Sequence, residues 1–148
     1  MDKDARGNAE TADRLSRRRA RMLPLLGLLF LTQQAAFFSQ PPLERTVDHI
    51  RIGAWLVLSL VLLAALATGG FWFKPRAVRA LMEDEITRAN RDRAMGLGFV
   101  VALLTGLALY FLLPVWSLST REVIHLIVSA GLVAALVRFG VLERRALG

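Results

Sequence analysis

The sequence predicts an all-α integral membrane protein in which four helices cross a lipid bilayer and pack as one bundle. Hydrophobic residues make up 55% of the 148 residues, and the mean hydropathy is +0.47. The apolar residues stand in long blocks, whereas a soluble domain spreads them with the period of its helices or strands. The 19 lysines and arginines fall mainly between these blocks, which is typical of membrane topology.

Four stretches are long and apolar enough, or nearly so, to cross a bilayer core of roughly 30 Å, which takes about 20 helical residues. The second and third contain no charged residue and no polar face, which argues against helices that meet water. The fourth is interrupted only by Arg138, near its end, where a long side chain can reach the headgroups. The predicted spans are residues 22–39, 52–73, 95–116 and 122–141.

The distribution of basic residues predicts the orientation of these spans. All the lysines and arginines except Arg45, Arg51 and Arg121 lie in the N-terminal tail, between the second and third spans, or at the C-terminal end. Positive residues favour the cytoplasmic side, so we expect both termini there. Arginine far outnumbers lysine and alanine is abundant, which is typical of a GC-rich bacterium, so we expect its inner membrane. Trp55 and Trp116 then mark the outer interface. We expect the first span to stay uncleaved, because no clear signal-peptidase site follows it.

Outside the bilayer, the sequence predicts three features. Residues 1–21 mix both charges with small residues, so we expect a disordered basic cytoplasmic tail. The charges spaced four apart before the third span predict a cytoplasmic helical extension that runs into it. Ser119 or Thr120 can cap the fourth span, with Glu122 in its first turn.

A stripe of small residues on the third span predicts close helix packing. Small side chains every fourth residue let a neighbouring backbone approach one helix face. We favour packing within the chain, with a homo-oligomer or a membrane partner as the alternative, because a four-helix bundle needs such contacts anyway. The stripe consists of Ala94, Gly98, Ala102 and Gly106.

Thr32, Gln33 and Gln34 form a polar cluster within the first span. Buried amides in a membrane seek partners on other helices, so interhelical hydrogen bonding is favoured over a ligand or quinone pocket. His49 and His125 are expected near the outer interface. Neutral imidazoles ligate haem and metals, but no pair with a ligand spacing is present. We therefore expect no metal ligand, no cofactor and no catalytic residue.

The segment before the third span carries the densest charge. Its charged residues form a predicted interaction loop, and the simplest interpretation is a solvated helix with alternating charge. The string from Met82 to Ala94, which leads to Gly98-Phe99, resembles a segment of small, uncharacterised four-span membrane proteins of alphaproteobacteria, in which a similar stretch precedes the third helix. Some of those look like neighbours of small Cro-type regulators, which would imply a regulatory pairing. The charged residues are Glu83, Asp84, Glu85, Arg88, Arg91 and Arg93.

The remaining composition narrows the function. The chain has no cysteine, so disulfides and thiolate chemistry are excluded. No Asp or Glu lies deep in a span, which argues against a stand-alone proton-coupled transporter. The basic charge is explained by anionic lipid and topology, without nucleic acid. We expect a non-enzymatic accessory or regulatory membrane protein. The alternatives are a subunit of a small-solute transporter or channel, and a haem- or quinone-linked redox component.

Overall fold

Five α-helices make up the regular structure of the chain. The computed structural model describes residues 2–39, 45–70, 76–82 and 84–147. Every regular element within these residues is helical, as the sequence predicts. The helices are α1 (Asp2–Ser39), α2 (Arg45–Thr68), α3 (Arg76–Met82), α4 (Glu85–Leu112) and α5 (Thr120–Ala146).

Three of the helices are long and apolar enough to cross a membrane. They are the segments His49–Thr68, Glu85–Leu112 and Thr120–Ala146. α1 is not among them over its described residues, because its N-terminal half is charged and the side chains of residues 35–39 lie outside the description. Three of the four predicted spans are therefore matched by membrane-length apolar helices.

The helix ends follow local chemistry. α2 ends at Thr68, before the predicted end of its span, because Gly69 and Gly70 adopt φ of 75° and 73°, which glycine tolerates best. Residues 71–75, where that span was predicted to end, lie outside the described residues. α4 ends at Leu112, two residues before Pro114, because Pro114 has no backbone N–H with which to continue the helical hydrogen bonds.

The start of α5 matches its predicted cap. The Ser119 side chain accepts a hydrogen bond from the Glu122 backbone N–H, and Glu122 in turn accepts from the Ser119 N–H at 2.7 Å. This reciprocal arrangement satisfies amides that the helix leaves without a partner at its first turn. The prediction of a cap at Ser119 is confirmed.

The N-terminal segment differs from the predicted disordered tail of residues 1–21. It forms the first half of α1, which runs without a break to Ser39. The physical reason is an apolar face hidden among the charges: Ala12 and Leu15 are buried against Val78 and Met82 of α3. Side chains at these spacings share one side of a helix, so this segment has a small core of its own.

α5 is the central helix of the bundle, and α1, α2 and α4 all pack on it. Its buried residues Leu132, Leu136 and Phe139 form the main core with Phe30 and Leu66. Large apolar side chains are exposed on the outer faces; Phe99 and Leu104 of α4, for example, are 66% and 59% exposed. An apolar outer surface is the arrangement that lipid requires of a membrane-spanning protein.

Candidate functional site

A buried ion pair joins α1 to α5. The side chains of Arg19 and Glu143 are only 5% and 3% exposed, and the Arg19 Nη2 donates to Glu143 Oε2. Two residues of α4 complete the group: Asn90 Nδ2 donates to Glu143 Oε1 at 3.3 Å, and the Thr87 hydroxyl donates to Oε2 at 3.5 Å while accepting from Arg19 at 3.4 Å. We call these four residues the Arg19–Glu143 cluster, and the end of the bundle that holds them the polar end.

The cluster depends on the register of α4. Asp84 caps this helix by accepting a hydrogen bond from the Thr87 backbone N–H at 2.7 Å, which fixes where the helix begins. From that start Thr87, Asn90 and Ala94 fall on one helix face and are all buried. The cap therefore sets which side chains of α4 reach Glu143.

The electrostatics of the cluster make it costly to disturb. A buried charge is tolerated only when it is paired and its remaining hydrogen-bonding positions are satisfied. Glu143 has a cation and two polar donors, and the Arg19 guanidinium also lies 5.4 Å from the centre of the Phe139 ring. Removing Arg19 or Glu143 would leave the opposite charge buried without its partner. The cluster therefore holds α1, α4 and α5 in one arrangement.

A proline in α1 creates a second link to α5. Pro24 has no backbone N–H, so the carbonyl of Ala20, four residues earlier, loses its usual helical donor. Arg144 supplies the missing donor: its Nε bonds the Ala20 oxygen at 3.3 Å. The proline ring meanwhile packs on Gly140, where an added Cβ would lie 2.6 Å from Pro24 Cδ. Pro24 thus sets both the contact between α1 and α5 and the position of Arg144.

Most of the predicted interaction loop faces outward. Asp84, Glu85, Arg88 and Arg93 are exposed and Arg91 is half-buried, whereas Glu83 lies outside the described residues. Of the uncharged residues of the same segment, Thr87 and Asn90 face the bundle, whereas Ile86 and Ala89 are exposed. The charged surface is therefore the outer side of a helix whose inner side is fixed by the Arg19–Glu143 cluster.

The predicted polar cluster of the first span does not act as one group. Thr32 and Gln33 are exposed, and the Thr32 hydroxyl donates to the Leu29 carbonyl of its own helix at 2.8 Å. Only Gln34 is buried, at 7% exposure, because it continues the buried face through Leu23 and Phe30. The helix places consecutive residues about 100° apart, so three neighbours cannot share one face.

Gln34 belongs to a layer of buried polar side chains. α1 and α5 run antiparallel: Arg19 lies opposite Glu143, and Pro24 lies opposite Gly140. Continuing this register along the two helices places Gln34 level with Ser129. Ser59 of α2 lies at the same level. Within the described residues, the amide atoms of Gln34 and the hydroxyls of both serines have no hydrogen-bond partner, and all three side chains are at most 7% exposed.

The two histidines have different surroundings. His125 is buried and stacks on Trp55, with 4.2 Å between ring centres and 19° between planes. Trp55 is half-buried and packs against the core of the bundle, and its place at the outer interface stays a prediction. His49 is exposed, about 9 Å along α2 from Trp55 at 1.5 Å per residue. The structure does not bring the two imidazoles together.

The stripe of small residues on α4 packs against α5 in the same chain. A Cβ added to Gly98 would lie 2.7 Å from the Gly131 carbonyl oxygen, and one added to Gly131 would lie 3.0 Å from the Ala102 Cβ. Ala94 is fully buried, and Gly106 faces Ile127 at ordinary contact distance. The glycines allow the two backbones to approach closely.

The sequence reasoning did not assign Arg19 and Glu143 to a common site, and no local pattern pairs residues 124 positions apart. A signal was present in α4, however. Thr87, Asn90, Ala94 and Gly98 are uncharged residues at helical spacing within and beyond a charged segment, which indicates a face turned inward.

Comparison with known proteins adds no relative to this picture. No family model matches the chain, and no curated protein or solved structure is significantly similar to it. Among the described residues, no group of three His, Cys, Asp or Glu side chains is placed to hold a metal ion. The features that bear on function are therefore the Arg19–Glu143 cluster and the surfaces that it holds in place.

Proposed function

We propose that this protein is a four-span accessory or regulatory protein of a bacterial inner membrane, which presents a rigid charged cytoplasmic surface to a protein partner. One observation carries the proposal: the buried Arg19–Glu143 cluster ties the charged half of α1 and the charged start of α4 to the apolar bundle. A partner bound to this surface is thereby coupled mechanically to helices in the membrane.

The topology supports a cytoplasmic position for this surface. With the apolar half of α1 as the first span, all the helix ends that carry dense positive charge lie on the side of the polar end. The positive-inside bias assigns that side to the cytoplasm. Both chain termini then lie in the cytoplasm, and the turn between α4 and α5 lies outside.

The surface itself has mixed charge and is fixed in shape. Among the described side chains of its N-terminal half, α1 exposes both acids and arginines, including Asp13, Arg14 and Arg18, and α4 exposes Glu85 and Arg93. Charged surfaces of this kind give an interface its orientation and its association rate. The resemblance of the α4 segment to four-span proteins that neighbour small regulators favours a regulatory partner.

Co-purification from the native membrane in a mild detergent tests this proposal. We expect a cytoplasmic protein to accompany the full chain and to be lost when Glu85→Gln and Arg93→Gln are combined, because these changes remove surface charge without touching the buried cluster. Quantitative mass spectrometry of the eluates measures the loss, and a decrease of about tenfold corresponds to roughly 1.4 kcal/mol of binding energy.

A matched control uses exposed charges on the opposite side of the membrane. Arg121→Gln removes an exposed charge at the start of α5 and should leave co-purification unchanged. Equal recovery of the same proteins from all variants, or recovery of none together with a monomer by light scattering, would contradict the accessory function.

A second function, as a subunit of a small-solute transporter or channel, is favoured by the polar layer. Gln34, Ser59 and Ser129 lie level with each other with no partner in the described chain, and such groups in a membrane often mark a solute pathway. Replacement Gln34→Leu should abolish solute flux in reconstituted vesicles if the layer lines a path. Stable folding with unchanged flux would assign the layer to packing.

A further inference from the structure

Three arginines converge on one cavity at the polar end. Arg17 and Arg21 from α1 and Arg144 from α5 line a cavity of about 420 Å³, together with Ala20 and Leu147. Like charges repel, so an anion bound between these side chains would relieve an electrostatically unfavourable arrangement. Three guanidinium groups around one space are the arrangement that binds a phosphate group, which accepts several hydrogen bonds at once.

Two of the three guanidinium groups are held in position. Arg144 Nε bonds the Ala20 carbonyl that Pro24 leaves without a helical donor, at 3.3 Å. Arg17 Nε bonds Asp13 Oδ2 at 3.1 Å, and this carboxylate partly offsets the positive charge of the three arginines. In both arginines the anchoring bond uses Nε and leaves the terminal nitrogens for a ligand. Prior positioning lowers the entropy that a ligand must overcome.

The cavity lies where the charged part of the bundle meets its apolar part. Met22 directly follows Arg21, and Leu25 and Leu28 continue the face of Arg21 along α1 with 56% and 58% exposure. Val137, two turns before Arg144 on α5, is 39% exposed. Phosphates of a bilayer lie at this boundary, with the acyl chains beyond it.

We propose that Arg17, Arg21 and Arg144 form a binding site for a phosphate group at the membrane boundary, supplied by an anionic phospholipid or by free phosphate. The proposal rests on the membrane placement of the bundle and does not depend on a protein partner. For a phospholipid, the exposed leucines of α1 and Val137 provide the surface along which an acyl chain lies.

Lipid retention on the full chain tests the site. Protein purified in an uncharged mild detergent is mixed with phosphatidylglycerol or phosphatidylcholine, and bound lipid is counted by native mass spectrometry. We expect phosphatidylglycerol to be retained at least tenfold more strongly. Arg21→Gln and Arg144→Gln should each weaken its retention by about tenfold, since each removes a charge-assisted hydrogen bond.

Neighbouring arginines provide the control. Arg18 and Arg145 are exposed at the same depth but do not line the cavity, so Arg18→Gln and Arg145→Gln should retain the lipid. Equal losses in all four variants would show a general effect of charge and overturn the site, as would equal retention of the two lipids. If Arg144→Gln fails to fold, the lipid retention of Arg21→Gln tests the site by itself, because Arg21 is exposed and makes no contact that joins two helices.

Inorganic phosphate distinguishes the two sources. If millimolar phosphate displaces phosphatidylglycerol from the wild type and raises its melting temperature, and does neither in Arg21→Gln, the ligand is free phosphate. If phosphate has no effect while phosphatidylglycerol is retained, the ligand is the lipid. Retention of neither ligand by the wild type overturns the proposal.

Discussion

At the scale of single residues, Arg19 and Glu143 are the charged groups that depend most on their surroundings, because both are buried. A buried ion pair gains little over well-packed apolar residues, but each member depends on the other. Thr87 and Asn90 add hydrogen bonds that only this carboxylate, in this position, can accept. The pair therefore contributes more to specifying which helices pack together than to the free energy of unfolding.

Removing one charge should be far more harmful than removing both. We expect Glu143→Ala to lower the free energy of unfolding by about 3 to 5 kcal/mol, because Arg19 stays buried without a partner. The double variant Arg19→Met/Glu143→Leu should recover most of this loss. Denaturation in bicelles measures both.

The exposed pair of Arg17 and Asp13 is the matched control. Both side chains are more than half exposed, so Asp13→Ala should change stability by less than about 1 kcal/mol. A double variant no more stable than Glu143→Ala would show that the pair contributes favourable energy of its own.

Pro24 leads to a prediction about a side chain on another helix. Pro24→Ala restores an N–H that can bond the Ala20 carbonyl, so Arg144 should lose its acceptor. We expect the Arg144 Nε–H to exchange faster with solvent by NMR in micelles, while the Arg145 signal stays unchanged. Unchanged protection of Arg144 would show that its position does not depend on the proline.

At the scale of elements, the contact between α4 and α5 is the most extensive of the bundle. It depends on Gly98 and Gly131, whose missing side chains let the two backbones touch. A methyl group at Gly98 has no space, whereas one at Gly106 would meet Ile127 at 3.5 Å, an ordinary contact. The stripe therefore divides into one essential glycine and one replaceable glycine.

This difference predicts opposite outcomes for two similar substitutions. Gly98→Ala should destabilise the bundle by about 1 to 3 kcal/mol through overpacking. Gly106→Ala should be neutral or slightly stabilising, because alanine is the better helix former. Thermal unfolding in detergent compares the two, and equal effects would count against the close approach.

Local chemistry explains why some elements were predictable. Pro114 ends α4 because it lacks a backbone N–H, and the Ser119 side chain caps α5, so the boundaries around the turn between α4 and α5 follow from sequence. The helical structure of the N-terminal half of α1 does not follow from local sequence, because its few apolar residues stabilise the helix only when α3 packs on them. The pairing of Arg19 with Glu143 is likewise created by tertiary structure.

At the scale of the whole molecule, the structure separates polar and apolar surface by position along the bundle. The outer faces of α2 beyond Arg51 and of α4 beyond Arg93 are apolar over most of their length, and most of the exposed charges lie at the polar end. Such a surface is stable only when hydrocarbon surrounds the middle of the bundle. This arrangement is the basis for the proposed topology.

Reporter fusions test that topology directly. A cytoplasm-active reporter at either terminus should be active, and a periplasm-active reporter inserted after Leu118, in the turn between α4 and α5, should also be active. Termini on opposite sides would contradict the four-span arrangement and leave α1 outside the membrane.

The central position of α5 has a consequence for synthesis. α1, α2 and α4 all pack on the helix that leaves the ribosome after them, and Glu143 is made 124 residues after Arg19. At roughly 5 to 20 residues per second, on the order of ten seconds pass between the two. During that interval Arg19 has no carboxylate from α5, and nascent helices must wait in the bilayer for the segment that joins them.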